Sequence, residues 1–153
     1  IEPGRSIVND AGNTVYTVGT IKEIPGIKKY VAVDGGMTDN PRPILYGARY
    51  QAIIANRVNE GSTEMVSVVG KCCESGDVII QQTEINPAQA GDILVVEGTG
   101  AYNYSMASNY NLIPRPGVVF IRDGKPYLVV RPEGWYDLVR RDILPGYLIE
   151  NGE

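Results

Sequence analysis

From Thr14 onward, apolar and polar positions alternate in short runs separated by glycine and proline. Val15-Tyr16-Thr17-Val18-Gly19-Thr20-Ile21 and Lys29-Tyr30-Val31-Ala32-Val33 are rich in β-branched and aromatic residues, which suit a half-buried pleated surface. Pro25-Gly26 breaks the chain between them. Further strands are predicted over Ala52 to Arg57, Glu64 to Val69, Asp77 to Gln82, Asp92 to Glu97, Gly117 to Arg122 and Pro126 to Val130. The last two flank Arg122-Asp123-Gly124-Lys125, where Asp-Gly favours a two-residue hairpin turn. Only Tyr104 to Asn109 and Trp135 to Arg141 read as helical in this part of the chain. Upstream, Ile1 to Arg5 reads as a strand end entering a turn, and Ser6 can cap a short helix over Ile7 to Gly12. Many short strands spaced by 18 Gly and 10 Pro predict an all-β fold, a β-sandwich or distorted β-barrel over residues 14–153. Residues 1–13 read as a separate β-α stub.

Composition narrows the function. A length of 153 residues suffices for one domain with a core. The net charge is -4 and the 14 Lys and Arg are scattered, against the basic patch a nucleic-acid partner needs. No apolar run approaches the roughly 18 residues of a membrane span, and no leader precedes residue 1. The chain does not begin with Met, so a targeting segment upstream stays open. Cys72 and Cys73 are adjacent, and a bridge between neighbours is strained, so no disulfide framework is expected. Two thiols without a histidine make a poor metal site. The missing histidine also removes the commonest general base, leaving Cys, Glu, Asp, Tyr, Lys, a cofactor or groups from another segment.

Four segments carry chemistry. In Cys73-Glu74-Ser75-Gly76-Asp77, a thiol and a carboxylate sit side by side at a turn between two strands. The thiol can deliver a proton and the carboxylate can hold an ammonium group. The plainer reading of Cys73 is a buried, inert thiol, and Cys72 is read as packing. Glu2-Pro3-Gly4-Arg5 suits anion binding at a strand-to-helix junction, or is an ordinary turn with a surface arginine. In residues 34–46, a glycine pair and two prolines predict an irregular backbone that holds Arg42 rigidly between Pro41 and Pro43. Tyr46 meets the same ligand if this segment bends into a turn, and a purely structural loop is the alternative. Gly98 to Tyr102 follows a strand, with small residues that let a ligand approach Tyr102, or with Tyr102 simply packed. The amides and hydroxyls of residues 104–111 read as partners for buried backbone.

Taken in order, EPGRSIV at residues 2–8, DGGMTDNPRPILYGA at 34–48, GKCCESGD at 70–77, GAYNYSMASNYN at 100–111 and PRP at 114–116 resemble the C-terminal part of the diaminopimelate decarboxylases, a group of fold-type III pyridoxal-phosphate-dependent enzymes. The resemblance implies conversion of meso-2,6-diaminopimelate to L-lysine and CO2 in lysine biosynthesis. It implies pyridoxal 5'-phosphate as cofactor, with Glu2 facing the pyridine nitrogen, Gly4 and Arg5 in the phosphate cradle, and Tyr102 touching cofactor and substrate. Arg5, Arg42, Tyr46, Glu74 and Tyr102 correspond to the substrate-binding set, and Cys73, directly or through a water it orients, to the proton donor. The family works as a homodimer with shared sites and a CESGD loop that reaches across. Such an enzyme is cytoplasmic, or plastidic if a transit peptide precedes this stretch. The family's Schiff-base lysine lies on an N-terminal α/β barrel, of which residues 1–13 would be the last strand and helix. No lysine here stands in a matching context, and Lys71 is given no role. The chain is therefore expected to be inactive by itself. Two rivals remain: a decarboxylase of ornithine or arginine, and a non-catalytic homologue serving dimerisation or regulation.

Overall fold

The computed structural model describes residues 1 and 3–149, which fall into two compact units, Ile1–Asn111 and Leu112–Glu153. In the first unit, β1 (Thr14–Ile24), β2 (Lys28–Val33), β3 (Ala52–Ile54), β4 (Glu64–Val69), β5 (Val78–Ile85) and β6 (Ile93–Val96) form one sheet in the order β3-β6-β1-β2-β4-β5. All pairings are antiparallel except β2 with β4. The edge strands β3 and β5 pack against each other, so the sheet curls into a nearly closed barrel. This is the strand-dominated, barrel-like architecture the alternation predicts. The core follows the period of two: Tyr16 and Val18, Val31 and Val33, Ala52 and Ile54, Val66 and Val68, and Leu94 and Val96 all point inward and are buried. A register shift between Val18 and Ile21 bends the long strand β1 around the barrel.

Three local expectations change. Ala55–Arg57 is a 3-10 turn rather than the end of a strand. Asp92 takes hydrogen bonds from Asn56 Nδ2 at 2.7 Å and Arg57 Nε at 2.8 Å, drawing both side chains off the strand path. The helix read over Ile7 to Gly12 is two 3-10 turns, Arg5–Ile7 and Asn9–Ala11, without a side-chain cap. Backbone bonds from Thr99 N–H to Gly12 O (2.8 Å) and Gly100 N–H to Asn9 O (3.0 Å) pin this stretch to the loop after β6. The stretch over Tyr104 to Asn109 forms one 3-10 turn, Tyr104–Met106, because Ser108 N–H donates to Thr38 O instead of continuing a helix.

The second unit holds β7 (Val118–Arg122) and β8 (Lys125–Val130), which pair only with each other among the described residues. Asp123 and Gly124 both take positive φ, 52° and 73°, as an Asp-Gly hairpin turn requires. After the hairpin, Trp135–Val139 is a helical turn whose N-terminus is capped by Asp137, which accepts from Gly134 N–H at 2.8 Å. A last turn, Gly146–Ile149, follows. Val119, Phe120, Ile121, Tyr127 and Leu128 are exposed, so neither face of this hairpin is covered within its own unit.

Candidate active site

The site is built in the first unit on two loops and one helical turn. Residues 34–41 leave β2 and are folded around the buried Asp39 carboxyl. Its Oδ1 accepts from Gly36 N–H at 3.0 Å and Thr38 Oγ1 at 3.1 Å, and the Tyr16 hydroxyl donates to Oδ2. Burial pushes the Asp39 carboxyl up, against the pull of those donors. Burial, then the Asp39 charge, pushes the Tyr16 phenol up, so it keeps the proton it donates. Next along the chain, Asn40 is 1% exposed, and neither end of its amide has a partner.

Where an irregular loop was expected, Arg42–Tyr46 forms a helical turn, α1. Pro41 at the N-cap and Pro43 in the first turn need no intrahelical donor, and Gly47 at φ 61° ends the turn in the left-handed region. Four residues apart on one helical face, Arg42 and Tyr46 meet, with the guanidinium 5.7 Å from the Tyr46 ring. The same guanidinium stands 5.5 Å from the Tyr102 ring. Its Nε is buried and has no hydrogen-bond partner. Tyr102 itself is held at φ 69°, with Met106 N–H donating to its carbonyl at 2.8 Å. Gly4 lies against its phenol: a Cβ there would come within 2.5 Å of the Tyr102 hydroxyl.

The thiol loop, residues 70–77, connects β4 to β5 around a second buried carboxylate. Asp77 Oδ1 accepts from Met37 N–H at 2.7 Å and Oδ2 from Cys72 N–H at 2.8 Å. Gly36 and Gly70 press their Cα atoms against this carboxylate, where a Cβ would collide. The half-buried Cys72 thiol is pushed up to about 11 by burial and then by Asp77, which keeps it protonated and inert, in keeping with packing. Cys73 is exposed rather than buried, and its N–H donates to Asn111 Oδ1 at 3.1 Å. Glu74 Oε1 accepts from Ser75 Oγ and Gly76 N–H, both at 3.3 Å, and its carboxylate is exposed. Gly76 packs onto the Ile44 side chain of α1, seating this loop on the turn that carries Arg42.

The structure thus joins Gly4, Arg42, Tyr46 and Tyr102 by direct contact and brings the Cys73–Glu74 loop against α1. Arg5 is placed apart from this group: its Nε donates to Asn9 Oδ1 at 2.8 Å on a polar hollow of about 410 Å³ shared with Arg49 and Glu97. Glu2 lies outside the described residues. Sequence reasoning gave no role to Tyr16, Asp39 or Asp77. The available signal for the acids was their place shortly after glycine in a tight loop, Asp39 three residues after Gly36 and Asp77 directly after Gly76, where short side chains bond nearby backbone. No group of three or more metal-ligating side chains occurs among the described residues.

The family model described as the C-terminal sheet domain of pyridoxal-dependent decarboxylases matches residues 6–100. Diaminopimelate decarboxylase of Bacillus subtilis is 57% identical over 143 residues, covering 94% of this chain and 33% of that protein. The enzyme of the same name from Synechocystis is 50% identical, covering 97% and 32%. This chain therefore spans about a third of the length of those relatives. A crystal structure of diaminopimelate decarboxylase from M. jannaschii in complex with L-lysine superposes with a TM-score of 0.89 at 39% identity, covering 96% of this chain and 33% of that one. The lysine/ornithine decarboxylase of Vibrio vulnificus, solved with cadaverine, matches with a TM-score of 0.65 at 26% identity, covering 74% and 31%.

Proposed function

This chain belongs to the pyridoxal-dependent decarboxylase family through its C-terminal sheet domain, and we propose that it forms the sheet-domain part of a diaminopimelate decarboxylase that converts meso-2,6-diaminopimelate to L-lysine and CO2. The observation that carries this reading is Arg42, a cation set between two tyrosine rings with a buried Nε that nothing satisfies. A buried unpartnered donor is costly unless a ligand meets it, and a carboxylate is the anion an arginine fork fits best. Diaminopimelate offers a carboxylate and an ammonium group at the end remote from reaction. Arg42 takes the first of these beside the Tyr46 and Tyr102 rings, and Glu74, from the loop that the other protomer lends to the site, takes the second.

The residues available suit the family's cofactor: Gly4 gives close backbone approach beside Tyr102, where a side chain would collide. Gly4 and Tyr102, with Glu2, would hold pyridoxal 5'-phosphate, which supplies an electron sink for loss of CO2 from an amino acid, while Arg5, bonded to Asn9, stands apart. Cys73 Sγ–H then gives its proton to the carbon that lost CO2, forming a C–H bond, and the thiolate regains a proton from solvent. In this reading residues 1–13, with their two 3-10 turns, lead from the barrel into the sheet domain, and the Schiff-base lysine comes from that barrel. The exposure of both Cys73 and Glu74 supports a homodimer in which this loop completes the partner's site. No described helix is long and apolar enough to cross a membrane, and we place the enzyme in the cytoplasm.

Lysine formation from diaminopimelate by the full-length protein is the test. Glu74→Ala should lower kcat/KM for diaminopimelate about 10- to 100-fold, the loss of one charge-assisted contact, and shift preference toward ornithine or arginine. Absence of lysine formation by the unmodified protein refutes the reading, and an unchanged preference refutes the role of Glu74.

A further inference from the structure

Asp77 is nearly buried, 4% exposed, and stands at the end of the thiol loop, with one carboxylate oxygen turned to its own loop and the other to the loop that precedes Arg42. Each carboxylate oxygen serves a different loop. Oδ1 holds Met37 N–H, five residues before Arg42, and Oδ2 holds Cys72 N–H, next to Cys73. Gly36 of one loop and Gly70 of the other are bare at the carboxylate, so both backbones close on it. The join is doubled by Lys71 N–H donating to Gly35 O at 2.9 Å, and the thiol loop closes on itself through Gly70 N–H to Asp77 O at 3.0 Å.

We infer that Asp77 is a positioning residue, the side-chain strut that, beside the Lys71–Gly35 backbone bond, sets the Cys73–Glu74 loop against the loop leading to Arg42. The inference rests on the proposed reaction, in which the Arg42 turn meets substrate in one site of the dimer and the Cys73–Glu74 loop meets substrate in the other. Two acceptor oxygens are needed because two N–H groups arrive from opposite sides. An amide of the same shape keeps one acceptor and turns an NH2 donor toward the other N–H, so one of the two side-chain bonds is lost and the join loosens without a change of volume. Charge-assisted bonds to buried backbone donors are also about twice as strong as neutral ones. The cofactor-facing residues Gly4 and Tyr102 make none of these bonds, so the strut acts on substrate and proton delivery and leaves cofactor binding alone.

The test compares Asp77→Asn with the unmodified full-length enzyme loaded with pyridoxal phosphate. The expected result is a kcat at least about 10-fold lower and a raised KM for diaminopimelate, the loss of one charge-assisted bond, with cofactor absorbance retained. If the unmodified enzyme makes lysine and Asp77→Asn keeps both constants, the positioning role is overturned while the function stands. If the unmodified enzyme makes no lysine, the functional reading fails first. Should Asp77→Asn not fold, amide hydrogen exchange of the unmodified protein decides: slow exchange at both Met37 and Cys72 supports the strut, and fast exchange at either overturns it.

Discussion

Replacing Tyr16 by Phe removes one oxygen from the core and leaves the ring where it is. Tyr16 is 4% exposed, so the change leaves only a gap the size of one hydroxyl and little apolar burial is lost. The Asp39 Oδ2 atom loses its donor, while Gly36 N–H and Thr38 Oγ1 both remain on Oδ1. Leaving a buried acceptor unmet costs about 1–3 kcal/mol. The cost depends on pH in a defined direction. Burial already holds the Asp39 carboxyl above its ordinary value, and the Tyr16 bond pulls it down. Without that bond it rises further. A carboxyl raised in the folded state stabilises the fold below its unfolded value and loses that contribution as pH climbs through the folded value. The variant therefore loses more with rising pH than the parent. We expect a destabilisation near 3 kcal/mol at about pH 8 and near 1 kcal/mol at about pH 4, where a protonated Asp39 needs no strong donor. Urea unfolding followed by far-UV circular dichroism at the two pH values measures this, since Trp135 sits in the other unit and reports poorly on this one. Equal losses at both pH values, or a loss under about 0.5 kcal/mol at pH 8, would refute the reasoning.

Gly70→Ala drives a Cβ into the Asp77 carboxylate and should lower stability by about 1–3 kcal/mol, whereas Gly61→Ala, with nothing within 4 Å, should stay within about 0.5 kcal/mol by the same urea assay. In the second unit, Arg131 and the Gly134 N–H hold the Asp137 carboxyl at about 2. This contribution is present above the unfolded value and is lost as pH falls toward about 2. A carbon-13 NMR titration of Arg131→Gln should show the Asp137 carboxyl moved up toward the unperturbed value of about 3.9, and an unmoved midpoint would mean that the ion pair is not its cause.

Alternation was enough to place the strands, because a half-buried strand writes its two faces into every second residue. Glu64 to Val69 is read directly, and Asp123-Gly124 marks its hairpin because few other pairs accept positive φ twice. The motifs around Arg42, Cys73, Glu74 and Tyr102 were legible for a similar reason: each local backbone is dictated by its own glycines and prolines. The helical turn Arg42–Tyr46 was not, since prolines usually break helices, and only the N-cap position of Pro41 and the first-turn position of Pro43 make them harmless. Nor could the pattern separate Ala52–Ile54 from the turn that follows, which depends on Asp92, far along the chain, capturing Asn56 and Arg57. The sequence by itself determined the barrel-like sheet and the family, and it named most of the groups of the candidate site. Which of those groups meet was decided by tertiary structure. Asp39 and Asp77 look like any loop acids until folding buries them, and a carboxylate joins segments only when the water that would otherwise satisfy it has been replaced by donors from its own loop and from a distant one, Tyr16 for Asp39 and Met37 for Asp77.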